Sequence, residues 1–510
     1  MTRALGARQL IDLVFDEDSF TSWDQPVRTT FAASGAYGAE LAKARRRTGL
    51  EEAVHTGSGT IRGHKVAVVA GEFSFLGGSI GVATAECLVN AIERATAEKL
   101  PLFAAPASGG TRMQEGTIAF VQMVKITATI SEHKAAGLPY LVYLRNPTTG
   151  GAFASWGSLG HLTVAEPGAL VGFLGPRVYE GLYGRPFPSG VQVAENLVKC
   201  GLIDAVAEPE QIADIVVRVL TVLRGDGARV EPYPAPPQVS VDLPDTPAWE
   251  SVLRSRMTGR PGVRQLLRYA ATDVVSLNGT GQGEADPGLL VALARFGPAR
   301  CVLLGQDRSM QNAEHALGPE ALREARRGMR LAEDLNLPVL TVIDTPGAAL
   351  SVAAEQGGLA GEIARCLSDM IMLRAPTLAL LLGQGSGGAA LALLPADRVV
   401  AAEHGWLAPL PPEGASIIMH RTKRRAPEIA QAQRVRSMDL HEDGIVDRVV
   451  PESPDAADAP EEFCRRVGGV IREELATLLR QEPAERLRRR RRRYRQLGAS
   501  QLTMDVRASE

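Results

Sequence analysis

The feature that most constrains this chain is an internal repeat with a spacing of 237 residues. Six landmark residues of the first half recur at that spacing: Gly81, Pro101, Pro139, Gly150, Gly151 and Glu166 match Gly318, Pro338, Pro376, Gly387, Gly388 and Glu403. The surrounding residues agree as well, as in KLPLFAAPASGG against NLPVLTVIDTPG. Self-similarity at one fixed spacing predicts two domains of a single fold.

Each copy has the same predicted order of elements: helix, strand, helix, strand, glycine pair, helix and strand. Apolar positions with helical spacing occupy residues 82–99 and 319–336. The two strands that follow in each copy are short and apolar throughout: Leu102–Pro106 and Tyr140–Leu144, then Val339–Ile343 and Thr377–Leu382. Such strands, separated by helices, are typical of a largely parallel sheet buried on both faces.

Between the copies lies a proline-rich segment, GDGARVEPYPAPPQVSVDLPDTP, at residues 225–247. Its composition predicts a semi-rigid linker. We therefore expect one domain at residues 1–224 and a second at 248–510, which also agrees with a length too great for a single hydrophobic core.

Composition excludes several classes of protein. A formal net charge of −2 lacks the basic excess of a general nucleic-acid binder. The five cysteines are scattered without a C-x-x-C pair, so neither a metal site nor a disulfide framework is expected, and a cytoplasmic location is the simplest. The N-terminal segment MTRALGARQLIDLVFDE carries acidic residues where a signal peptide needs an apolar core.

One apolar stretch, Pro376–Leu394, has the length of a membrane-spanning helix. Four glycines interrupt its middle, together with Gln384 and Ser386. A buried strand, a glycine-rich turn and a helix start explain the same residues better, so no membrane association is expected.

The second strand of each copy runs into Gly-Gly-Ala at a predicted helix start, at residues 150–152 and 387–389. Glycine lets a bound group approach the backbone closely. Free N–H groups at a helix N-terminus point outward, and the helix dipole adds partial positive charge. Together these features form an oxyanion hole for a carbonyl group. An isolated glycine pair usually marks a plain turn, but two pairs at matching places indicate function.

Several motifs carry a family resemblance. SGGTRMQEG (Ser108–Gly116) closely resembles the SGGARMQEG signature of the β-type subunit of bacterial acetyl-CoA carboxylase carboxyltransferase. NPTTGGAFAS and AEPGALVGFLGPRV are similar to the acyl-CoA-binding segment of that subunit. In the second half, IDTPGA, AEQGGLAGEIARCL, GQGSGGAALA and PPEGAS resemble the α-type subunit. The chain thus resembles a fusion of both subunits over most of residues 55–210 and 290–450.

The resemblance implies an α/β fold of two tandem crotonase-like (ClpP/crotonase) spiral domains, built from repeated ββα units. In such enzymes the active site lies between the β-type domain of one protomer and the α-type domain of another. A homo-oligomer, either a dimer or a hexamer, is therefore expected.

The resemblance also assigns the glycine pairs. Gly150 and Gly151 are expected to hold the thioester oxygen of acyl-CoA. Gly387 and Gly388, with the N–H of Ala389, are expected to hold the ureido oxygen of biotin.

Four further residues of the family motifs belong to the expected acyl-CoA side: Gly109, Gly110, Arg112 and Arg177. The two arginines have two interpretations, as contacts to CoA phosphates or as structural ion pairs.

The implied reaction moves a carboxyl group from carboxybiotin to a short acyl-CoA, most simply acetyl-CoA, giving malonyl-CoA for fatty-acid synthesis. Carboxybiotin would release carbon dioxide, the biotin anion would take the α-proton, and the enolate would capture the carbon dioxide. The chain has no P-loop, and Lys125 lies in a helical stretch rather than the hairpin of a biotin attachment site. Biotin is therefore expected on a separate carrier protein, with biotin carboxylase as a further partner.

Departures from the family pattern leave alternatives open. The segment after TPGA reads Ala349-Leu350-Ser351 where the family has Tyr-Pro-Gly, and residues 305–315 lack the usual lysine-rich loop. A CoA-ester decarboxylase of the same fold and a non-catalytic scaffold subunit of the carboxylase are the two alternatives.

Weaker signals have structural interpretations. Ser79 lies in a G-x-S-x-G sequence, which we interpret as a flexible turn rather than a nucleophile. Four glutamates are candidate acids, although the duplicated pair suggests a shared cap or turn: Glu115, Glu166, Glu403 and Glu413.

Two basic clusters stand out. The run Arg488–Arg493 predicts a solvated helix face, with the docking of an acidic carrier protein as the alternative. The cluster His420–Arg425 has the same two interpretations as the motif arginines.

Overall fold

The computed structural model describes residues 5–27, 35–173, 175–224, 243–312 and 315–498. The chain divides into two compact units, one of Met1–Thr221 with Leu277–Glu284 and one of Val222–Ser276 with Ala285–Glu510. Most of the predicted linker, residues 225–242, lies outside the described residues.

The short segment Leu277–Glu284 packs with the first unit, which the predicted division into two continuous domains did not anticipate. Asn278 explains this placement, because its backbone N–H donates to Asp204 Oδ1 at 3.0 Å. Its side-chain amide also donates to the carbonyl oxygen of Val198 at 2.8 Å. These contacts join residues far apart in sequence, which no local pattern reveals.

The first unit contains the following elements. Its strands are β1 (Thr21–Ser22), β2 (Val54–Ile61), β3 (His64–Gly71), β4 (Leu102–Ala105), β5 (Tyr140–Leu144), β6 (Thr148–Thr149), β7 (Leu162–Ala165), β8 (Val171–Gly172) and β9 (Ala205–Val206). Its helices are α1 (Ala7–Val14), α2 (Gly35–Thr48), α3 (Val82–Ala97), α4 (Gly116–Ala135), α5 (Pro176–Tyr183), α6 (Ala194–Lys199) and α7 (Ile212–Arg224).

Among the described residues, seven strands form the main sheet of this unit, in the order β1-β2-β3-β4-β5-β7-β9. The first two pairings are antiparallel. From β3 onward every pairing is parallel, so those strands end at one edge of the sheet. The two short strands β6 and β8 pair separately.

The second unit contains the following elements. Its strands are β10 (Asp273–Leu277), β11 (Leu289–Phe296), β12 (Ala299–Gln306), β13 (Val339–Thr345), β14 (Thr377–Ser386), β15 (Arg398–Ala402), β16 (Trp406–Ala408) and β17 (Arg448–Val450). Its helices are α8 (Ala248–Ser255), α9 (Val263–Ala270), α10 (Pro319–Asp334), α11 (Val352–Gln356), α12 (Leu359–Met372), α13 (Gly387–Leu391), α14 (Pro412–His420), α15 (Ala426–Ala432), α16 (Ser437–Glu442), α17 (Pro460–Leu479) and α18 (Pro483–Gln496).

The sheet of the second unit follows the order β10-β11-β12-β13-β14-β15-β17, with β16 beside the end of β14. Strands β11 and β12 form an antiparallel hairpin, and the pairings from β12 to β17 are parallel. Helices α3 and α10 each have 16 residues, begin 237 positions apart and follow an N-cap glycine, Gly81 or Gly318. The two sheets therefore share one strand order, and the pairings from β2 onward in the first sheet have the same directions as those from β11 onward in the second.

Strand β14 is longer than the sequence predicted, because it continues past Leu382 to Ser386. Its glycines make close packing possible along this extension. A Cβ on Gly383 would lie 2.5 Å from Asp344 Oδ1, and one on Gly385 would lie 2.6 Å from the Trp406 carbonyl oxygen. Residues that resembled a turn are therefore a buried strand, packed where a side chain does not fit.

Each sheet is covered by helices. In the first unit, alternate residues of β4, Leu102 and Ala104, join Leu88 of α3 and Ile126 of α4 in one apolar core. In the second unit, strand and helix residues form an equivalent core that includes Leu340, Leu378, Phe463, Val467 and Ile471. With both faces buried, the carboxyl edge of the parallel strands is where loops lie open to ligands.

Candidate functional site

In the first unit, the glycine pair follows β6 and lies against the SGGT loop. Gly150 has φ +60° and Gly110 has φ +108°, a backbone conformation that side chains rarely adopt. A Cβ on Gly150 would lie 3.2 Å from the Gly110 Cα. The two loops therefore meet backbone to backbone, and the contact depends on the missing side chains.

Ser108 holds this contact in place. Its hydroxyl accepts a hydrogen bond from the Gly110 N–H at 3.0 Å. Its carbonyl oxygen accepts one from the Thr149 N–H at 2.8 Å. The side chain is fully buried, so the loop geometry is set by the interior of the unit rather than by solvent.

The N–H groups of this segment are not equivalent. The Gly150 N–H donates to the carbonyl oxygens of Gly172 and Phe173 at 3.1 and 3.0 Å. Within the described ranges, the N–H groups of Gly151 and Ala152 have no acceptor. Gly150 therefore shapes the pocket, whereas Gly151 and Ala152 have the donors that a bound oxygen needs. Sequence reasoning missed Ala152, although its 237-residue offset to Ala389 was a usable signal.

In the second unit, the glycine pair begins α13 directly after β14. Gly387 has φ +69°. A Cβ on Gly388 would lie 2.6 Å from Ile363 Cδ1, so Gly388 lets α13 pack closely on α12. The first turn of a helix has no intrahelical acceptor for its N–H groups, which leaves those of Gly388 and Ala389 available.

The loop after β13 repeats the arrangement of the SGGT loop. The Thr345 hydroxyl accepts a hydrogen bond from the Gly347 N–H at 3.1 Å, as Ser108 accepts one from Gly110. Ala348 also forms an isolated parallel bridge to Leu317, which matches the bridge between Thr111 and Ile80. Both candidate pockets are thus built from two loops of the same local design.

A buried glutamine supports the second pocket. Gln306 Nε2 donates to the Ala389 carbonyl oxygen at 2.8 Å, and Gln306 Oε1 accepts from the Asp344 N–H at 3.2 Å. The residue is 1% exposed. Sequence reasoning missed this residue, since its two partners lie on distant strands and helices.

Asp344 lies beside the same pocket. Its Oδ1 accepts a hydrogen bond from the Gln384 N–H at 3.0 Å, and its Oδ2 lies 3.6 Å from Arg308 Nε. Burial raises the pKa of the Asp344 carboxyl above its usual range, while the nearby Arg308 charge opposes that change. The carboxylate ties β13 to β14 immediately below the glycine pair.

Arg112 forms a buried ion pair, in line with the second of its two sequence interpretations, and its placement on the acyl-CoA side stays a prediction. Its side chain is 0% exposed and lies 2.9 Å from Glu52 Oε2. Further hydrogen bonds go to the Ser79 carbonyl oxygen and the Thr84 hydroxyl, at 2.8 and 3.0 Å. Its charge is neutralised inside the unit, and the side chain is closed to a phosphate from solvent.

The remaining predictions for the acyl-CoA side have mixed outcomes. Gly109 is exposed, and a Cβ there would meet only the Gly77 carbonyl oxygen, at 3.5 Å, so this position opens toward solvent. The side chain of Arg177 lies outside the described residues, and its proposed phosphate contact stays a prediction.

The candidate acids have structural contacts. Glu115 accepts a hydrogen bond from the Val82 N–H at 2.6 Å, which caps α3. Glu166 and Glu403 accept backbone hydrogen bonds from Asn146 and Glu452 at 2.9 and 2.7 Å. Glu413 forms a two-armed ion pair with Arg256. These contacts agree with the structural interpretation of the duplicated glutamates.

Large apolar side chains are exposed close to both pockets. In the first unit, the segment from the SGGT loop into α4 exposes Met113 at 77% and Val124 at 71%. In the second unit, the loop after TPGA and helix α14 expose Leu350 at 96% and Ile418 at 70%. Large apolar side chains exposed in this way are typical of surfaces that bind another molecule.

Neither a metal-binding cluster nor a membrane-spanning helix occurs among the described residues. No three or more His, Cys, Asp or Glu side chains come together there as ligands for a metal ion. No helix there combines the length and the apolar character that crossing a membrane requires.

The arrangement is suited to stabilising carbonyl oxygens that gain negative charge. Each pocket offers two backbone N–H groups at a glycine pair whose missing side chains leave room for close packing, against Met123 beside Gly151 and Ile363 beside Gly388. Preorganised donors of this kind need no rearrangement when the charge develops.

Comparison with known proteins identifies the family. The model of the carboxyl transferase domain matches residues 4–493. A probable biotin-dependent acyl-coenzyme A carboxylase beta3 subunit of Mycobacterium bovis is 60% identical over 96% of this chain and 98% of its own length. The acetyl-coenzyme A carboxylase carboxyl transferase subunits beta/alpha of Salinispora arenicola are 36% identical over 91% of this chain and 85% of theirs.

A solved structure of transcarboxylase 12S has the same fold, with a TM-score of 0.74 over 94% of this chain and 91% of that one at 23% identity. This likeness confirms the expected α/β fold. Biotin dependence and an acyl-coenzyme A substrate, both expected from the sequence, are properties of the matched family. The chain therefore belongs to the carboxyl transferase domain family, among the carboxyltransferase subunits of biotin-dependent acyl-coenzyme A carboxylases.

Proposed function

We propose that this chain transfers a carboxyl group from carboxybiotin on a separate carrier protein to a short acyl-CoA. Acetyl-CoA is the favoured acceptor, with malonyl-CoA for fatty-acid synthesis as the product, because the Salinispora relative at 36% identity is an acetyl-coenzyme A carboxylase component. The observation that carries the proposal is the pair of matched backbone pockets. A carboxyl transfer from carboxybiotin to an acyl-CoA needs two carbonyl oxygens stabilised in one reaction, and each pocket can hold one of them.

The first unit is the β-type, acyl-CoA half in this proposal. The N–H groups of Gly151 and Ala152 donate to the thioester oxygen and favour the enolate. Gly150 and Gly110 keep the approach free of side chains. Each fixed donor of this type contributes about 3–4 kcal/mol to the transition state.

The second unit is the α-type, biotin half. The N–H groups of Gly388 and Ala389 donate to the ureido oxygen of biotin, and Gly387, with its positive φ, makes the turn from β14 into α13. When bound, carboxybiotin supplies the carboxyl group. Gln306 keeps the Ala389 peptide in position through its carbonyl oxygen.

The reaction requires no protein side chain as general base, and the contacts of the glutamates agree with that. Glu115 is 5% exposed and caps a helix, and Glu166 accepts a backbone hydrogen bond. A carboxylate engaged in this way keeps the loops in place rather than accepting a substrate proton.

A second copy of the chain is proposed to complete the site. The exposed apolar residues around each pocket, such as Val124 and Ile418, need a partner surface to cover them. A β-type unit of one protomer facing an α-type unit of another would cover both. The proposed assembly is a homo-oligomer, a dimer or a hexamer, that works with biotin carboxylase and the biotin carrier as separate subunits.

The reverse half-reaction tests the proposal with the isolated full-length protein. Malonyl-CoA and free biotin are mixed with the protein, and acetyl-CoA is followed by chromatography. We expect biotin-dependent turnover, and a comparison with methylmalonyl-CoA ranks the acyl groups. Turnover at the same rate without biotin would indicate a CoA-ester decarboxylase. Binding of CoA esters without any turnover would indicate a scaffold subunit.

A further inference from the structure

The C-terminal helix α18 contains an unbroken arginine run, in which Arg490 is buried and Arg489 and Arg492 are exposed. Arg490 is 1% exposed, and its Nε and Nη2 donate to Asp397 at 2.8 and 2.6 Å. It also donates to three main-chain carbonyl oxygens, those of Met370, Leu373 and Ala375. Arg490 therefore anchors the helix, which corrects the prediction of a solvated face for this part of the run.

The neighbouring arginines line two adjacent cavities beside α18, which share Gly444, Arg489 and Arg493 and are together called the groove here. Its cationic residues are Arg398, Arg486, Arg489, Arg490, Arg492 and Arg493. Three aspartates share the groove, and each is already engaged. Asp397 contacts Arg486 and Arg490, Asp447 contacts Arg398 and Arg493, and Asp443 pairs with Arg434 outside the groove.

Several donors in the groove have no acceptor. The Nε atom of Arg493 is buried without a hydrogen-bond partner among the described residues, and the buried Nε of Arg486 has only a 3.4 Å ion-pair contact with Asp397 Oδ2. The guanidinium groups of Arg489 and Arg492 are exposed, and within the same residues they form no ion pair or hydrogen bond. Burial lowers the pKa of Arg486, and the Arg490 charge adds to this effect while Asp397 opposes it. The carboxylates therefore leave positive charge uncompensated.

We propose that this groove binds a phosphate group. A guanidinium presents planar, forked donors that match the oxygens of a phosphate, and several arginines around one cleft are a recurrent phosphate site. Arg489 and Arg492 bind the anion from the exposed side, and the half-buried Arg493 lines both cavities beside them. Unpartnered donors below the surface favour a compact oxyanion over an acidic polypeptide, whose carboxylates would reach only the outer arginines.

The test is isothermal titration of the full-length protein with inorganic pyrophosphate at constant ionic strength, set with sodium chloride. We expect saturable binding with one pyrophosphate per chain. Arg489→Gln and Arg492→Gln should each weaken that binding about tenfold, the size expected for one lost charge-assisted hydrogen bond. Arg495→Gln removes the same charge from the same helix outside the groove, so its affinity should stay within about twofold.

Further titrants identify the source of the phosphate. Tighter binding of ADP than of pyrophosphate assigns the phosphate to a nucleotide, and weaker binding assigns it to a free anion. Hexaglutamate serves as the acidic-peptide probe. The proposal is overturned if pyrophosphate does not saturate, if Arg495→Gln loses as much affinity as Arg489→Gln, or if hexaglutamate binds while pyrophosphate does not. None of these readouts depends on carboxyl transfer.

Discussion

Gly110 and Gly150 touch through their backbones, since a Cβ on Gly110 would lie 3.4 Å from the Gly150 Cα. The contact joins the SGGT loop after β4 to the glycine pair after β6. Because both residues have positive φ, either could accept a side chain only at a backbone cost of about 1–2 kcal/mol. A substitution at a neighbouring position, where a side chain fits without backbone strain, therefore tests the first pocket better.

Gly109 is such a position, and Gly109→Leu should block the first pocket without unfolding the chain. A Cβ there meets only one atom within 4 Å, so the leucine side chain extends into the open mouth. We expect KM for malonyl-CoA to rise at least about tenfold in the biotin-dependent assay, with the urea midpoint unchanged. Gly469→Leu is the control, because its Cβ has nothing within 4 Å and lies on helix α17. An unaltered KM in Gly109→Leu would remove the first pocket from the acyl-CoA site.

Gln306→Leu should lower kcat more than it changes KM for malonyl-CoA. The substitution leaves the Asp344 N–H and the Ala389 carbonyl oxygen without partners in the interior. Their combined cost is about 3 kcal/mol of unfolding free energy, and the first turn of α13 loses its fixed orientation. Denaturant unfolding and steady-state kinetics with free biotin measure the two effects.

The matched control for Gln306 is Thr341→Val in the same sheet. Thr341 is fully buried, and its hydroxyl donates to the Leu393 carbonyl oxygen at 2.8 Å. This variant should lose stability, about 1–2 kcal/mol, while its kcat stays at the parent value. A parallel fall of kcat in both variants would show that general loosening, rather than the Ala389 peptide, limits the reaction.

Arg112→Met should destabilise the first unit by about 3–5 kcal/mol, because Glu52 and Glu115 would be left buried without a compensating charge. Urea unfolding measures this loss. In the fraction that remains folded, the ratio of kcat/KM for malonyl-CoA to kcat/KM for its dephospho-CoA analogue should be unchanged. A selective loss of that discrimination at parental stability would restore the phosphate-contact interpretation of Arg112.

Acidification should destabilise the protein through His133. Burial is the main cause that lowers the pKa of this histidine from 6.5 to about 4. The native imidazole thus stays neutral while the unfolded one takes up a proton, so stability is complete above pH 6.5 and falls as the pH approaches 4. The loss by pH 4.5 is about 2.5 kcal/mol.

His133→Gln should flatten this pH profile. Urea midpoints at pH 7.5 and 4.5 are compared with those of His64→Gln, a change at the start of hairpin strand β3. The His64 variant should keep the parental slope. A parental slope in His133→Gln would mean that other groups cause the acid instability.

The sequence alone predicted the glycine pairs and the strand–helix order, because both depend on local chemistry that a repeat makes visible. It did not reveal Gln306, whose partners Asp344 and Ala389 lie 38 and 83 residues away. It also could not choose between two roles of Arg112, since a phosphate contact and a buried ion pair need the same side chain. The choice depends on Glu52, which is 60 residues distant.

The sequence of the arginine run also did not reveal which of its side chains are buried. A series of identical residues has no periodicity, so the sequence shows no inner and outer face. Asp397 creates that difference by drawing Arg486 and Arg490, one helical turn apart, into the interior. Where such a run is buried depends on an acceptor elsewhere in the fold, and no property of the run itself predicts it.

Mixing two variants, each impaired in one pocket, tests whether the pockets of one reaction come from different protomers. The malonyl-CoA concentration is kept well below the parental KM, so that Gly109→Leu alone turns over slowly. Gly109→Leu blocks the first pocket of its chain. Gly387→Val places a β-branched side chain at φ +69° and disrupts the second, with Gly444→Val at φ +73° as the control for backbone strain. A mixed dimer of the two variants contains one site that draws both pockets from undamaged units. Refolding or exchange of an equimolar mixture should therefore restore about a quarter of the parental activity if the site is shared across a two-fold interface. A site formed within one chain would give no recovery at any mixing ratio, and mass photometry of the same samples establishes that mixed oligomers were present.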